Sequence, residues 1–444
     1  MTQNIEAADH LSTVVISETK EINDTPLVHE SDILENAGEI KELTKKLCDN
    51  PSDNESAAKI VNLVSNYMEM PQLLDPILAE LIGELTKTCM AHFNDKEFSE
   101  SLYFCIYHLS NIRGYRELLP LFPNEVQTFE PVSNAFCKDS QRWEIRYVLL
   151  LWLSQLALVP FDINFKAEAR EKLISNLITK STELLSSPAR DSDAASFFLS
   201  RLLLRNDMVS KRDDFLHTAF KSLSPSQERL TTGYLKTIFH MLTSFDKLWA
   251  IPYATEMLNS VSSLASSPSA HHRLYHMKVI QQLGLAFLPP RVAPWRYQRG
   301  RLLKICEPQE KKEEEVKETK TNDDDAYKNE EDFEVPLEVN TILEMLFTGL
   351  QSQLQIVRWS AAKGIGRIVE RLPYSYATQP VEYTFSLFDD VDNYNLINGA
   401  CLTFAEFTLR GVFLPSTMIR AMPIILNSLI YDVQLGSHSV AENV

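Results

Sequence analysis

The segment 355–373 constrains the fold of this sequence more than any other stretch. It reads QIVRWSAAKGIGRIVERLP, and its apolar or small residues recur at the spacing of one helix face, at Val357, Ala361, Ile365 and Ile368. The alanines and glycines within the segment are short, so a neighbouring helix can approach closely. Leu372-Pro373 ends the helix, because proline cannot continue a helix and restricts the residue before it. Residues 337–350 predict a second amphipathic helix, so the two segments form a helical hairpin.

The same pattern recurs about one repeat later. A shift of 39 residues carries Val357 to Leu396 and Ile365 to Phe404, again at helical spacing. The Leu-Pro stop recurs at 414–415, a shift of 42 residues. Both offsets lie near the roughly 40–47 residues of HEAT and armadillo repeats, and the V-R-x-x-A-A-x-x-I run resembles the second helix of a HEAT repeat. We therefore predict an all-α fold, a HEAT/armadillo-like α-solenoid of stacked helical hairpins.

Composition and charge exclude several classes of protein. Glycine is scarce, with 12 in 444 residues, and no run of alternating β-branched residues predicts a strand. The net charge of −17 argues against nucleic acid as a partner, because phosphate binding needs an excess of Lys and Arg.

Six scattered cysteines favour free thiols in a reducing compartment. No signal peptide is recognisable, and the most apolar run, 147–159, is shorter than the about 20 residues of a membrane span. We expect a cytoplasmic protein without a membrane span.

Composition also divides the sequence into four parts. Residues 1–38 are polar and unpatterned and predict a disordered acidic tail, whereas residues 39–306 carry the periodicity of ARM/HEAT-like helical repeats. Residues 307–334 contain 13 Asp and Glu against 5 Lys, a net charge of −8, and predict an acidic disordered linker. Residues 335–444 resume HEAT repeats. They end without a polar capping helix, so we expect the array to be truncated at the C-terminus.

No motif for catalysis or for cofactor binding is recognisable. The sequence lacks G-x-S-x-G, H-E-x-x-H, C-x-x-C and a glycine-rich phosphate loop. His272 and His276 are four residues apart on a predicted helix, but no carboxylate or thiol stands at ligand spacing. We interpret them as a surface pair. We predict no catalytic residue, no cofactor, no metal and no enzymatic activity of the chain itself.

A series of longer motifs carries a family resemblance. In chain order they are LLDP at 73–76, RGY at 113–115, LFPNEV at 121–126, WEIRYVLLLWLS at 143–154, PFD at 160–162, ARD at 189–191, LGLAFL at 283–288, WRYQRG at 295–300 and VRWSAAKGIG at 357–366. Together with the acidic insert that precedes the last of them, they resemble the N-terminal portion of the tubulin-folding cofactor D family, also called tubulin-specific chaperone D. Members of that family are more than twice as long, and their C-terminal half has no counterpart here.

The resemblance implies a chaperone that captures β-tubulin and supports assembly and disassembly of the αβ-tubulin heterodimer. The partners it implies are β-tubulin, tubulin cofactors E and C and an Arl2-like small GTPase. GTPase-activator activity would belong to the complex, and the family adds an expectation of microtubule association. It supplies no catalytic motif. The alternative that stays open is a HEAT-repeat scaffold or transport adaptor for another cargo.

Two basic and aromatic stretches are candidate partner-binding sites, because Arg, Trp and Tyr are enriched at binding hot spots. The residues are Arg291, Trp295, Arg296, Tyr297, Arg299 and Arg301 in the first stretch, and Arg358 and Trp359 in the second. The alternatives are that Trp295 packs in a repeat core and that Arg358 forms a ladder between repeats. We also expect Trp143 or Trp152 to pack inward.

β-Tubulin is acidic, as this chain is, so binding would depend on local basic patches such as residues 291–301. The linker 307–334 would control access to that patch.

Overall fold

The computed structural model describes residues 36–93, 100–138, 142–159, 168–244, 246–289, 334–390, 393–413 and 415–435. Within these ranges the regular structure is helical, with no strand. This confirms the predicted all-α, HEAT/armadillo-like fold. The predicted tail and linker lie almost entirely outside the described residues and stay predictions. The chain divides into two compact units, Met1–Met241 with Ser263–His272 and Leu242–Ser262 with Arg273–Val444.

The amino-terminal unit consists of short antiparallel helices in chain order. They are α1 (Ala37–Asp49), α2 (Asn54–Ser65), α3 (Asp75–Ala91), α4 (Glu100–Arg113), α5 (Tyr115–Leu118), α6 (Phe129–Phe136), α7 (Trp143–Leu156), α8 (Glu168–Leu184), α9 (Asp191–Leu203), α10 (Val209–Ser222) and α11 (Glu228–Leu242). The apolar helix α7 packs against both α4 and α9 and is buried along most of its length. It is therefore the centre of this unit's core.

Helix ends in this unit are held by cations from one repeat further along the chain. Lys138 donates to the carbonyl of Phe93 and Lys180 to that of Cys137, at sequence separations of 45 and 43 residues. Arg205 donates to the carbonyl of Ala157, at a distance of 2.8 Å and a separation of 48 residues. The last carbonyls of a helix have no partner within it, and cations are favourable there. These bonds therefore join successive repeats at the spacing that the sequence predicts.

The second unit contains the segment from which the fold was predicted. Its helices are α12 (Ala254–Ser262), α13 (Ala270–Phe287, from Arg273 onward), α14 (Leu337–Gly349), α15 (Gln355–Arg371), α16 (Tyr374–Ser386), α17 (Tyr394–Leu409) and α18 (Pro415–Leu435). Helix α15 covers the predicted segment and ends before Leu372-Pro373, as expected. The positions related by the 39-residue shift, such as Ile365 and Phe404, are buried in the pair α15 and α17.

Two glycines of α15 permit close packing on opposite sides. A Cβ atom on Gly364 would lie 2.9 Å from the Cβ atom of Gln281 on α13. A Cβ atom on Gly366 would lie 2.8 Å from that of Glu406 on α17. Both distances are too short for real Cβ contacts. The small residues therefore allow the close approach that the sequence predicts, and they place α15 between two neighbouring helices.

Candidate functional site

Arg358 lies inside the contact between two successive repeats of the second unit. Its side chain is only 4% exposed. The Nε atom donates to Asn398 Oδ1 at 3.0 Å, and Nη1 donates to Asn395 Oδ1 at 3.0 Å and to the Ser352 carbonyl at 2.8 Å. One guanidinium thus joins the turn before α15 to the first turn of α17. This geometry is that of a ladder arginine between repeats.

The hydrogen-bond acceptors around Arg358 are neutral. They are amide and carbonyl oxygens, and burial lowers the pKa of its guanidinium. A buried charge without a carboxylate is costly unless every donor finds an acceptor, so the acceptors around it serve stability. The neighbouring Trp359 is only partly buried. Of the two candidates on α15, Trp359 is the one with surface available to a partner.

The first candidate stretch lies outside the described residues. This applies to Arg291, Trp295, Arg296, Tyr297, Arg299 and Arg301. The structure nevertheless places both ends of the connection 290–333. Its first end follows α13 and its second precedes α14, and a Cβ atom on Gly284 of α13 would lie 3.2 Å from Ile342 of α14. The basic stretch therefore connects two helices that pack against each other.

A group of cations lies in the same unit, near the carboxyl end of α13. Arg371 donates to the Leu285 carbonyl at 3.2 Å, in the last turn of α13. Burial, followed by the charges of Arg371 and Arg367, lowers the pKa of Lys247 to about 8. Three cations therefore cluster near the helix end from which the basic stretch departs, with the carboxylate of Glu370 beside Arg371. These three residues were not predicted as site residues. The only sequence signal for them is the i, i+4 spacing of the two arginines.

The two tryptophans of α7 differ in burial. Trp152 is fully buried between the rings of Phe122 and Phe93, and its Nε1 donates to the Pro123 carbonyl at 2.8 Å. Trp143 is partly exposed. The expectation that at least one tryptophan packs inward is confirmed.

Arg146, on the same helix, forms a partly buried ionic contact. Its Nε and Nη2 atoms donate to Asp191 Oδ2 at 2.8 and 2.6 Å. The Ser187 hydroxyl donates to the other carboxylate oxygen at 2.6 Å, and the Asp191 side chain is fully buried. Arg146 and Asp191 are 45 residues apart, so this pair also joins neighbouring repeats.

The interpretation of His272 and His276 as a surface pair is wrong. Both are almost fully buried on α13. His272 has partners on both ring nitrogens, the Ser267 hydroxyl and the Glu228 carbonyl, each at 2.9 Å. Neither ring nitrogen of His276 has a hydrogen-bond partner, and burial lowers its pKa to about 4. Residues 274–286 are all buried, so this part of the helix has no solvent-exposed face.

Potential reactive groups among the described residues include metal-ligating side chains and buried thiols. In this part of the chain, no three His, Cys, Asp or Glu side chains come together as metal ligands. Cys89 and Cys105 are buried free thiols, and burial raises the pKa of Cys105 to about 12. Thiols with so high a pKa stay protonated at neutral pH and are poor nucleophiles. Across the ranges that the structure describes, no helix has the length and apolar character of a membrane span.

Comparisons with known proteins assign the repeats to one family. A profile described as "Tubulin-specific chaperone D-like, ARM repeat" matches residues 64–223, and one described as "Tubulin-specific chaperone D-like, ARM repeats" matches residues 271–444. Tubulin-folding cofactor D of Schizosaccharomyces pombe is 24% identical over an alignment of 431 positions, which covers 91% of this chain and 37% of the relative. Tubulin-specific chaperone D of Dictyostelium discoideum is 26% identical over an alignment of 366 positions, which covers 70% of this chain and 24% of the relative.

The chain thus spans 37% and 24% of the length of these two curated relatives. Among solved structures, that of Kap121p is similar with a TM-score of 0.38 and 13% identity, over 89% of this chain and 40% of the other. A score of that size supports no inference about function.

Proposed function

The chain belongs to the tubulin-specific chaperone D-like family, and from this membership we propose that it captures β-tubulin during assembly and disassembly of the αβ-tubulin heterodimer. The observation that carries the proposal is the match of two repeat profiles of that family, in chain order, to most of the helical repeats. The repeats themselves bury their apolar faces against one another, which leaves their outer side chains for a partner. Capture of this kind needs a surface and no reactive group.

The cations of the second unit are the proposed tubulin contact. The chain carries a net charge of −17, so its long-range field repels an acidic subunit. Attraction must therefore come from local positive groups together with buried apolar contacts. Lys247, Arg367 and Arg371 supply such a group near the end of α13. The stretch 291–301 adds four arginines next to it in sequence, and Trp359 adds a partly exposed ring.

The remaining partners follow from the family as further proposals. These are tubulin cofactors E and C and an Arl2-like small GTPase, in a cytoplasmic complex that associates with microtubules. A GTPase-activator role would belong to that complex. An arginine inserted at the nucleotide raises the rate of hydrolysis by about 10³–10⁵. We expect no such acceleration from this chain alone, and a GTPase assay with and without it tests this.

Charge reversal tests the tubulin contact directly. We expect the double variant Arg296→Glu, Arg299→Glu to bind purified tubulin at least tenfold more weakly than the unmodified chain in a sedimentation or interferometry assay. The matched control is Lys45→Glu, Arg229→Glu, two exposed cations of the other unit. It changes the net charge by the same amount, so a difference in affinity between the two double variants reports the effect of the local charges and not of the overall charge. An equal loss of tubulin affinity in both double variants would contradict a local basic contact. If the unmodified chain bound neither tubulin dimers nor β-tubulin, the proposed function would fail.

A further inference from the structure

A groove opens in the amino-terminal unit between α8 and α10, with α11 below it. Its volume is about 590 Å³, within the roughly 300–1,000 Å³ of ligand-binding pockets. Residues of α8 and of the turn after it form one wall, residues of α10 form the other, and Leu230 and Tyr234 of α11 contribute to the floor. The groove is independent of the tubulin contact proposed above, which belongs to the other unit.

The length of the groove corresponds to about three turns of a helix. Its first wall extends from Ser175 to Ser186, and 11 residues at 1.5 Å each give about 16 Å. At one end Lys211 reaches across from α10 and donates to Ser175 Oγ at 3.2 Å. This contact closes that end. A helix of three turns can therefore lie along the groove with one of its faces inside.

The floor is apolar. The rings of Phe215 and Tyr234 are buried with their centroids 5.6 Å apart. Ile178 and Leu230, which also line the groove, are partly exposed, so large apolar side chains entering it would cover these two side chains.

The walls offer hydrogen-bond acceptors rather than donors. The hydroxyls of Thr182 and Thr218 donate to carbonyls of their own helices, at 2.7 and 2.8 Å. They therefore present methyl groups and lone pairs to the groove. Glu183 on one wall and Asp214 on the other are exposed carboxylates with no ion pair among the described residues. Lys211 is the single cation among the lining residues, so two negative charges face one positive charge.

We propose that this groove binds an amphipathic, basic α-helix of a partner protein. Apolar residues of that helix at i, i+4 and i+7 would cover the floor, as in other helix-in-groove complexes. Lys or Arg residues flanking them would pair with Glu183 and Asp214. The charge of the walls selects a basic helix against an acidic one, and the length of the groove sets the contact at about three turns.

Selection from a displayed peptide library tests this proposal without a known ligand. The probe is a phage library of random 16-residue peptides, panned on the purified chain and then counter-selected on two variants. Thr182→Trp fills the groove, and Glu183→Lys with Asp214→Lys reverses its charge. Controls on the exposed face of α6 are Asn134→Trp and Glu130→Lys. Thermal unfolding shows whether each variant remains folded.

We expect clones that lose at least tenfold in affinity with both groove variants and less than twofold with both controls. These clones should carry apolar residues at helical spacing and a net positive charge, and should become helical on binding. The proposal is overturned if no clone depends on the groove. It is equally overturned if the groove-dependent clones are acidic or lack helical periodicity. Tubulin binding plays no part in this readout, so its outcome is separate from that of the proposed function.

Discussion

Replacing Arg358 by methionine tests whether this residue stabilises the fold or binds a partner. Methionine keeps much of the side-chain volume but removes the hydrogen bonds to Asn398, Asn395 and the Ser352 carbonyl. A hydrogen bond to a charged group contributes roughly 1.5–3 kcal/mol. Removing the buried charge recovers part of its desolvation cost. We therefore expect a net loss of about 2–3 kcal/mol in the free energy of unfolding.

The assay is urea unfolding followed by circular dichroism, with tubulin affinity measured on the folded fraction. The control is Arg420→Met, which removes an exposed arginine paired with Glu382 in the same unit. Exposed pairs contribute about 0–1 kcal/mol, so this variant should lose less than 1 kcal/mol. Trp359→Ala should show the opposite profile, with a small change in stability and a weaker tubulin complex. If Arg358→Met left stability unchanged and weakened tubulin binding, the ladder assignment would be refuted.

Three further predictions concern buried groups and the linker. The pKa of His276 is about 4 in the folded chain, below its ordinary value near 6.5. As the pH decreases, this histidine is therefore protonated in the unfolded chain before it is protonated in the folded chain. Stability should therefore fall by about 3 kcal/mol as the pH decreases from 6.5 to 4, and His276→Leu should remove this part of the pH dependence in urea titrations. Asp191→Ala should cost about 3–5 kcal/mol in the same assay, because it leaves Arg146 partly buried without its carboxylate, and a loss below 1 kcal/mol would contradict that role. Deleting residues 307–333 should raise tubulin affinity if the acidic linker competes for the cations of the second unit, and an unchanged dissociation constant would count against that role.

The repeat architecture could be predicted because its signals are local. Helix α15 has the predicted bounds, since a proline ends it and one apolar face sets its period. Gly364 and Gly366 indicated close approach, because only small residues leave room for a neighbouring backbone. Arg358 was recognisable as a ladder candidate, but whether it was buried depended on Asn398, 40 residues away.

The errors and omissions have a common physical cause. His272 and His276 were assigned to the surface because isolated histidines four residues apart suit an exposed helix face. Helix α13 is instead buried around its whole circumference from residue 274 to 286, and sequence periodicity cannot reveal a helix that is covered on every side. Lys247 was missed because its proximity to Arg371 arises from residues more than a hundred positions apart. The groove between α8 and α10 left no sequence signal, since its hydroxyl and carboxylate residues resemble an ordinary polar helix face.

Hydrogen–deuterium exchange mass spectrometry, with and without tubulin, tests the central claim that the outer surface of these repeats binds a tubulin subunit. We expect new protection in peptides that cover residues 291–301 and the ends of α13 and α15, with the core peptides of α7 unchanged. Protection confined to the amino-terminal unit, or no protection at a large molar excess of tubulin, would contradict this claim.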